Sequence, residues 1–155
     1  LVLEKSAIRN PSMQFTVRQV DDRFHFRATT PQGLSVDMDD ATAREDGVGK
    51  GVSPMQMLVM ALGGCTGIDI VSILQKGRQR IDTFEITLEA TREEGRAARV
   101  WVQVQLHVAL TGDLDPEKVR RAIELSLTTY CSVAKSLAPQ TQLGYTFSIN
   151  GTSYS

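Results

Sequence analysis

The sequence predicts an α+β fold, and three observations carry that expectation. Strand-like alternation fills the first third of the chain and returns between residues 81 and 111. A strongly apolar stretch of helical character runs from Ser53 to about Arg78. A second helical pattern over 115–135 is followed by a closing strand at 143–150. With 155 residues, 41% of them apolar, a single domain spanning 1–155 can build a core of its own.

Residues 1–38 read as N-terminal strands. Phe15, Val17 and Gln19 oppose Thr16, Arg18 and Val20, then Asp21 and Asp22 offer a turn before Phe24, Phe26 and Ala28. On that second strand the period of two places Arg23, His25 and Arg27 on one face and the phenylalanines on the other. A turn at Pro31, Gln32 and Gly33 leads to a short strand from Leu34 to Met38. Residues 39–52 follow as a charged, glycine-bearing loop, expected to be too polar to bury.

Helix signals begin abruptly at 53–78. Ser53 can cap, Pro54 suits the first helical position, and Gln56 completes a capping-box pattern. Apolar residues cover nearly the whole circumference from Met57 to Leu74, so the helix is expected to be enclosed on most sides. Gly63, Gly64 and Gly67 permit close approach of a neighbour, read here as another helix. The same stretch contains Gln56, Thr66 and Asp69 and falls short of the uninterrupted run of a lipid-spanning helix.

The strand pair 81–111 has one dry side, with Val100, Val102, Val104, Leu106, Val108 and Leu110, and one largely polar side, with Trp101, Gln103, Gln105 and His107. Asp115 and Pro116 open the second helix, which carries Val119, Ala122, Ile123, Leu127, Tyr130 and Ala134 at helical spacing, with Cys131 near its end.

The formal charge of −1 gives no electrostatic case for nucleic acid or for an anionic membrane. The expected partners are therefore small molecules or proteins. Residues 1–9 lack a basic segment followed by an apolar one, so a secretory signal is not expected. Two cysteines make a poor disulfide framework, which favours a cytoplasmic protein with free or redox-active thiols. Their separation excludes a local CxxC motif, so only the fold can bring them together. His25 and His107 have no carboxylate at ligand spacing, and no metal or other cofactor is expected.

Ser53-Pro54-Met55-Gln56-Met57-Leu58, Ala61-Leu62-Gly63-Gly64-Cys65 and Tyr130-Cys131-Ser132-Val133, in this order of elements, resemble the OsmC/Ohr superfamily, in particular its OsmC-like, YhfA-like branch. The resemblance implies two antiparallel sheets around two central helices in an intertwined homodimer. It also implies reduction of organic hydroperoxides: Cys65 attacks the peroxide and becomes a sulfenic acid, Cys131 resolves it to a disulfide, and an external dithiol restores both. By the same resemblance an arginine of the N-terminal sheet stabilises the Cys65 thiolate, with Arg23 nearest that position and Arg27 the substitute on the same strand face.

Two residues depart from that pattern. Met55 stands where the Ohr and OsmC branches carry a glutamate that orients the arginine, and Gln56 is about 100° further round the helix. Asp69 lies one turn after Cys65, where a close, unpaired carboxylate works against a thiolate. A cysteine in an apolar helix is ordinarily an inert core residue. The alternative to a peroxidase is thus a non-peroxidatic small-molecule-binding or redox-sensing protein on the same scaffold.

Overall fold

The computed structural model describes residues 12–155, so the reading of residues 1–9 lies outside the described residues. Two compact units divide the chain after Pro54.

In the first unit β1 (Thr16–Gln19), β2 (Phe26–Thr29) and β3 (Ser35–Met38) form an antiparallel sheet in that order. Val17 pairs with Ala28 and Arg27 with Asp37. Alternation sorts the side chains as the sequence predicts. One face gathers Phe15, Val17, Phe24 and Val36, all exposed within this chain. On the other, His25 Nε2 lies 2.9 Å from Asp37 Oδ1, and Arg27 donates to both oxygens of the same carboxylate at 2.9 and 3.2 Å.

Residues 39–52 form a loop that is mostly exposed, as expected, but two of its charged side chains are drawn inward. Asp39 is 2% exposed, and the Arg44 side chain is nearly as enclosed. The Arg44 guanidinium bridges Asp39 and Asp21, while the Lys50 N–H also donates to Asp39. Buried charges persist when paired and hydrogen-bonded in this way. A single 3-10 turn at Ala41–Ala43 and a bridge between Met38 and Val52 complete the segment.

The second unit is built on a four-stranded sheet, β4 (Arg80–Arg92), β5 (Trp101–Asp113), β6 (Gln142–Ile149) and β7 (Thr152–Tyr154), in that order. The β4–β5 and β6–β7 pairs are antiparallel and β5–β6 is parallel, so this sheet is mixed. A parallel pair needs a long crossover, supplied here by the helices between β5 and β6. Val104, Leu106, Val108 and Leu110 of β5 are buried, whereas Gln103 and His107 face away.

Helix α1 (Pro54–Lys76) lays a stripe of Val59, Leu62, Thr66, Ile70 and Leu74 on that apolar face. Three glycines cost it about 1 kcal/mol each in helix propensity. Complete burial of Leu62, Ile70 and Leu74 returns about 1.5–3 kcal/mol per side chain, so packing outweighs propensity. The close neighbour of two of these glycines is strand β4 rather than the expected helix. A Cβ on Gly63 would stand 2.8 Å from Leu88 Cδ1, and one on Gly67 would meet Phe84 and Ile86.

By length and composition alone α1 could cross a membrane, with a mean hydropathy of 2.0 over its most apolar window. Its buried stripe on the sheet identifies it as the core helix of this unit. It is not enclosed all round within the chain, since Met60 and Ile68 stay exposed.

The second helical stretch is also interrupted. Helix α2 (Pro116–Leu125), capped by the Asp115 carboxylate, runs into a π-helical turn (Ser126–Tyr130), and the chain breaks at Cys131 before α3 (Ser132–Leu137). The single helix expected over 115–135 is thus three segments. Strand β7 was not anticipated.

The Arg44 guanidinium holds the Asp21 and Asp39 carboxyls well below the usual carboxylate range, and Arg27, with His25, lowers Asp37. Groups depressed in the folded state contribute stability above their unfolded pKa of about 3.9 and lose it as pH falls through the folded value. Amide-exchange protection across 21–50, relative to the unfolded chain, should therefore hold at neutral pH and decline below about pH 4. Protection that stays flat to stronger acid would remove these ion pairs from the stability of the unit.

Candidate active site

Cys65 flanks the buried stripe of α1 and is half-buried, and Cys131 is fully buried at the break between the π turn and α3. Their positions, 65 and 131, are far apart in sequence, yet the two Sγ atoms and a carboxylate oxygen of Asp69 all lie within 4.8 Å of one another. Both thiols are free. The 3.6-residue period puts Cys65 and Asp69 on the same side of α1, and the packing of the two helical stretches brings Cys131 to them.

Hydrogen bonds fix the group. The Thr66 hydroxyl, beside Cys65 in sequence but turned inward, donates to Cys131 Sγ at 3.6 Å. The Ala134 N–H donates to the same sulfur at 3.3 Å, and the Cys131 N–H to the Ser126 carbonyl at 2.9 Å. The Ser126 hydroxyl donates to Asp69 Oδ2 at 2.9 Å, so Asp69 is not the unpaired carboxylate considered from sequence. Burial pushes the Cys131 thiol up, and its hydrogen bond with Cys65 adds to this; the Ala134 and Thr66 donors only partly oppose it.

The structure thus brings together Cys65, Cys131 and Asp69. Sequence reasoning missed Thr66 and Ser126, which carry no motif of their own. Met55 stands at the start of α1, where its carbonyl accepts a 2.9 Å hydrogen bond from Trp101 Nε1. Arg23 and Arg27 belong to the first unit. Arg27 is held by two bonds to Asp37, and Arg23 is more loosely engaged, 3.8 Å from Glu45.

A half-exposed thiol beside a buried one, on this α+β scaffold, is an arrangement on which dithiol–disulfide chemistry can be built. The family model for OsmC-like protein matches residues 47–146, and the chain belongs to that family. Protein YhfA of Escherichia coli K12 is 44% identical over 101 residues, covering 64% of this chain and 75% of that protein. A solved chain described only as structural genomics is 37% identical, with a TM-score of 0.78 over 88% of this chain and 98% of the other. The organic hydroperoxide resistance protein OhrB of Bacillus subtilis shares the fold, with a TM-score of 0.61 at 17% identity over 88% of this chain and 98% of its own.

The raised Cys131 thiol yields a direct test. Limited alkylation of the reduced, folded protein at mildly alkaline pH should label Cys65 first by peptide mapping. Cys131 should react only above the ordinary thiol range of about 8.5. Equal labelling of the two would refute the asymmetry.

Proposed function

We propose that the protein reduces organic hydroperoxides through Cys65 and Cys131. The observation that carries this reading is the meeting of an accessible and a buried sulfur from two distant segments in one hydrogen-bonded group. The Cys65 thiolate attacks the terminal peroxide oxygen, the O–O bond breaks, and a proton completes the alcohol, leaving Cys65 as a sulfenic acid. The Cys131 sulfur then displaces water to form the disulfide. An external dithiol supplies the two electrons that restore both thiols and is itself oxidised to a disulfide. The likeness in fold to the hydroperoxide resistance protein supports the substrate class.

In this reading Arg23 is the thiolate partner, because its guanidinium is less firmly engaged than that of Arg27. The working form is a homodimer. Ile68 is 73% exposed on α1, Met60 lines the same apolar groove with Phe84, Ile86 and Leu88, and among the described residues nothing comes within 4 Å of the Cβ position of Gly64. A second chain covers such a surface.

Stopped-flow mixing of reduced protein with cumene hydroperoxide and with hydrogen peroxide, with mass mapping of the product, tests the reading. Fast oxidation selective for the organic peroxide and ending in the Cys65–Cys131 disulfide is expected. Cys65→Ser should abolish turnover, and Cys131→Ser should stop at a trappable sulfenic acid. Arg23→Ala should slow the first step, read as a lower second-order rate constant for peroxide with the Cys65–Cys131 disulfide still the product. Oxidation no faster than that of an ordinary thiol would overturn the proposal, and light scattering of the same sample checks the dimer.

A further inference from the structure

The residues that carry the redox reading form a second kind of site. Cys65, Asp69 and Cys131 present two sulfurs and one carboxylate oxygen within 4.8 Å of one another. A tetrahedral ion with metal–sulfur bonds of about 2.3 Å needs its sulfurs roughly 3.8 Å apart, so closure requires at most about 1 Å of movement. Two of the donors project from successive turns of one helix, which fixes their spacing. The third sits where the helical path is already broken.

The donor set selects the ion. Thiolate sulfur favours zinc and related thiophilic cations, whereas magnesium and calcium require shells of oxygen. The surroundings resemble the support that metal ligands receive elsewhere: a hydroxyl on the Asp69 carboxylate, from Ser126, and donors on the buried sulfur from Thr66 and Ala134. Three protein ligands leave one tetrahedral position open, reached from the half-exposed side where Cys65 and Asp69 stand.

We infer that Cys65, Asp69 and Cys131 form a site for one zinc-like divalent cation, and that the cation and the disulfide are mutually exclusive states of the same sulfurs. Binding displaces the protons of both thiols, and donation of a sulfur lone pair to the cation draws electron density from Cys65 and slows its attack on peroxide. Conversely, two-electron oxidation to the disulfide removes two of the three ligands and releases the ion. The binding half of this inference stands on geometry alone, and only its effect on catalysis rests on the peroxidase reading.

Cobalt(II), titrated into the reduced protein under argon, is the probe. The expected result is one equivalent bound per chain, with thiolate-to-cobalt charge-transfer absorption and the visible bands of a tetrahedral ion. Both should vanish when the same protein is first oxidised to the disulfide. Asp69→Asn, checked for folding by circular dichroism, should weaken binding, and Ser126→Ala should do so by about 10- to 100-fold. Absence of the charge-transfer band, or an unchanged affinity in folded Asp69→Asn, would overturn the site. Because the spectrum requires no peroxide, it gives its answer even if the thiols prove inert to hydroperoxides. In a protein that does react, saturating zinc should suppress cumene hydroperoxide consumption, and an unaffected rate would overturn mutual exclusion.

Discussion

The contact on which the second unit depends is the seating of one stripe of α1, Leu62, Thr66, Ile70 and Leu74, on the dry face of the sheet. Everything in the site follows from the rotation of the helix that this stripe fixes. With those residues inward, Cys65 and Asp69 fall on the flank, one turn apart, facing the segment that carries Cys131. Thr66 belongs to the stripe itself and reaches the buried sulfur from beneath. A rotation of one residue step, about 100°, would turn Cys65 and Asp69 away from Cys131 and dissolve the group.

Much of this was legible in the amino-acid order, though unevenly. Pro54 marked the helix start, and the alternation of Val104, Leu106, Val108 and Leu110 marked a strand with one dry face, because proline geometry and strand period are local properties. The break at Cys131 was not legible. Leu127, Tyr130 and Ala134 keep helical spacing through it, so the apolar pattern conceals a π turn. The glycines were recognised as sites of close approach, but their neighbour was misassigned, since a small residue does not say whether a helix or a strand comes near. The exposure of most of 39–52 was legible in its charges, whereas the enclosure of Asp39 and Arg44 was not, because a burying partner, Asp21, lies much earlier in the chain.

The site divides in the same way. Both cysteines stood in recognisable motifs, and Asp69 was visible as the residue one turn on. Their convergence depended on tertiary packing, which sequence alone conveyed only through resemblance. Ser126 changes the meaning of Asp69 from a bare carboxylate to a partnered one, and nothing in the residues around 126 announced that role. Polar contacts between distant segments are the information that periodicity leaves out.

One feature of the scaffold has an optical consequence. Trp101 is the single tryptophan of the chain, and its indole N–H is bonded to the carbonyl of Met55 in the first turn of the cysteine helix. The Arg92 guanidinium stands over its ring at 5.6 Å. Indole emission responds to the polarity and hydrogen bonding of its surroundings, so fraying of that turn changes the colour and yield of the only tryptophan signal the molecule emits. The protein therefore carries, without labelling, a fluorophore at the root of the helix that presents its accessible thiol.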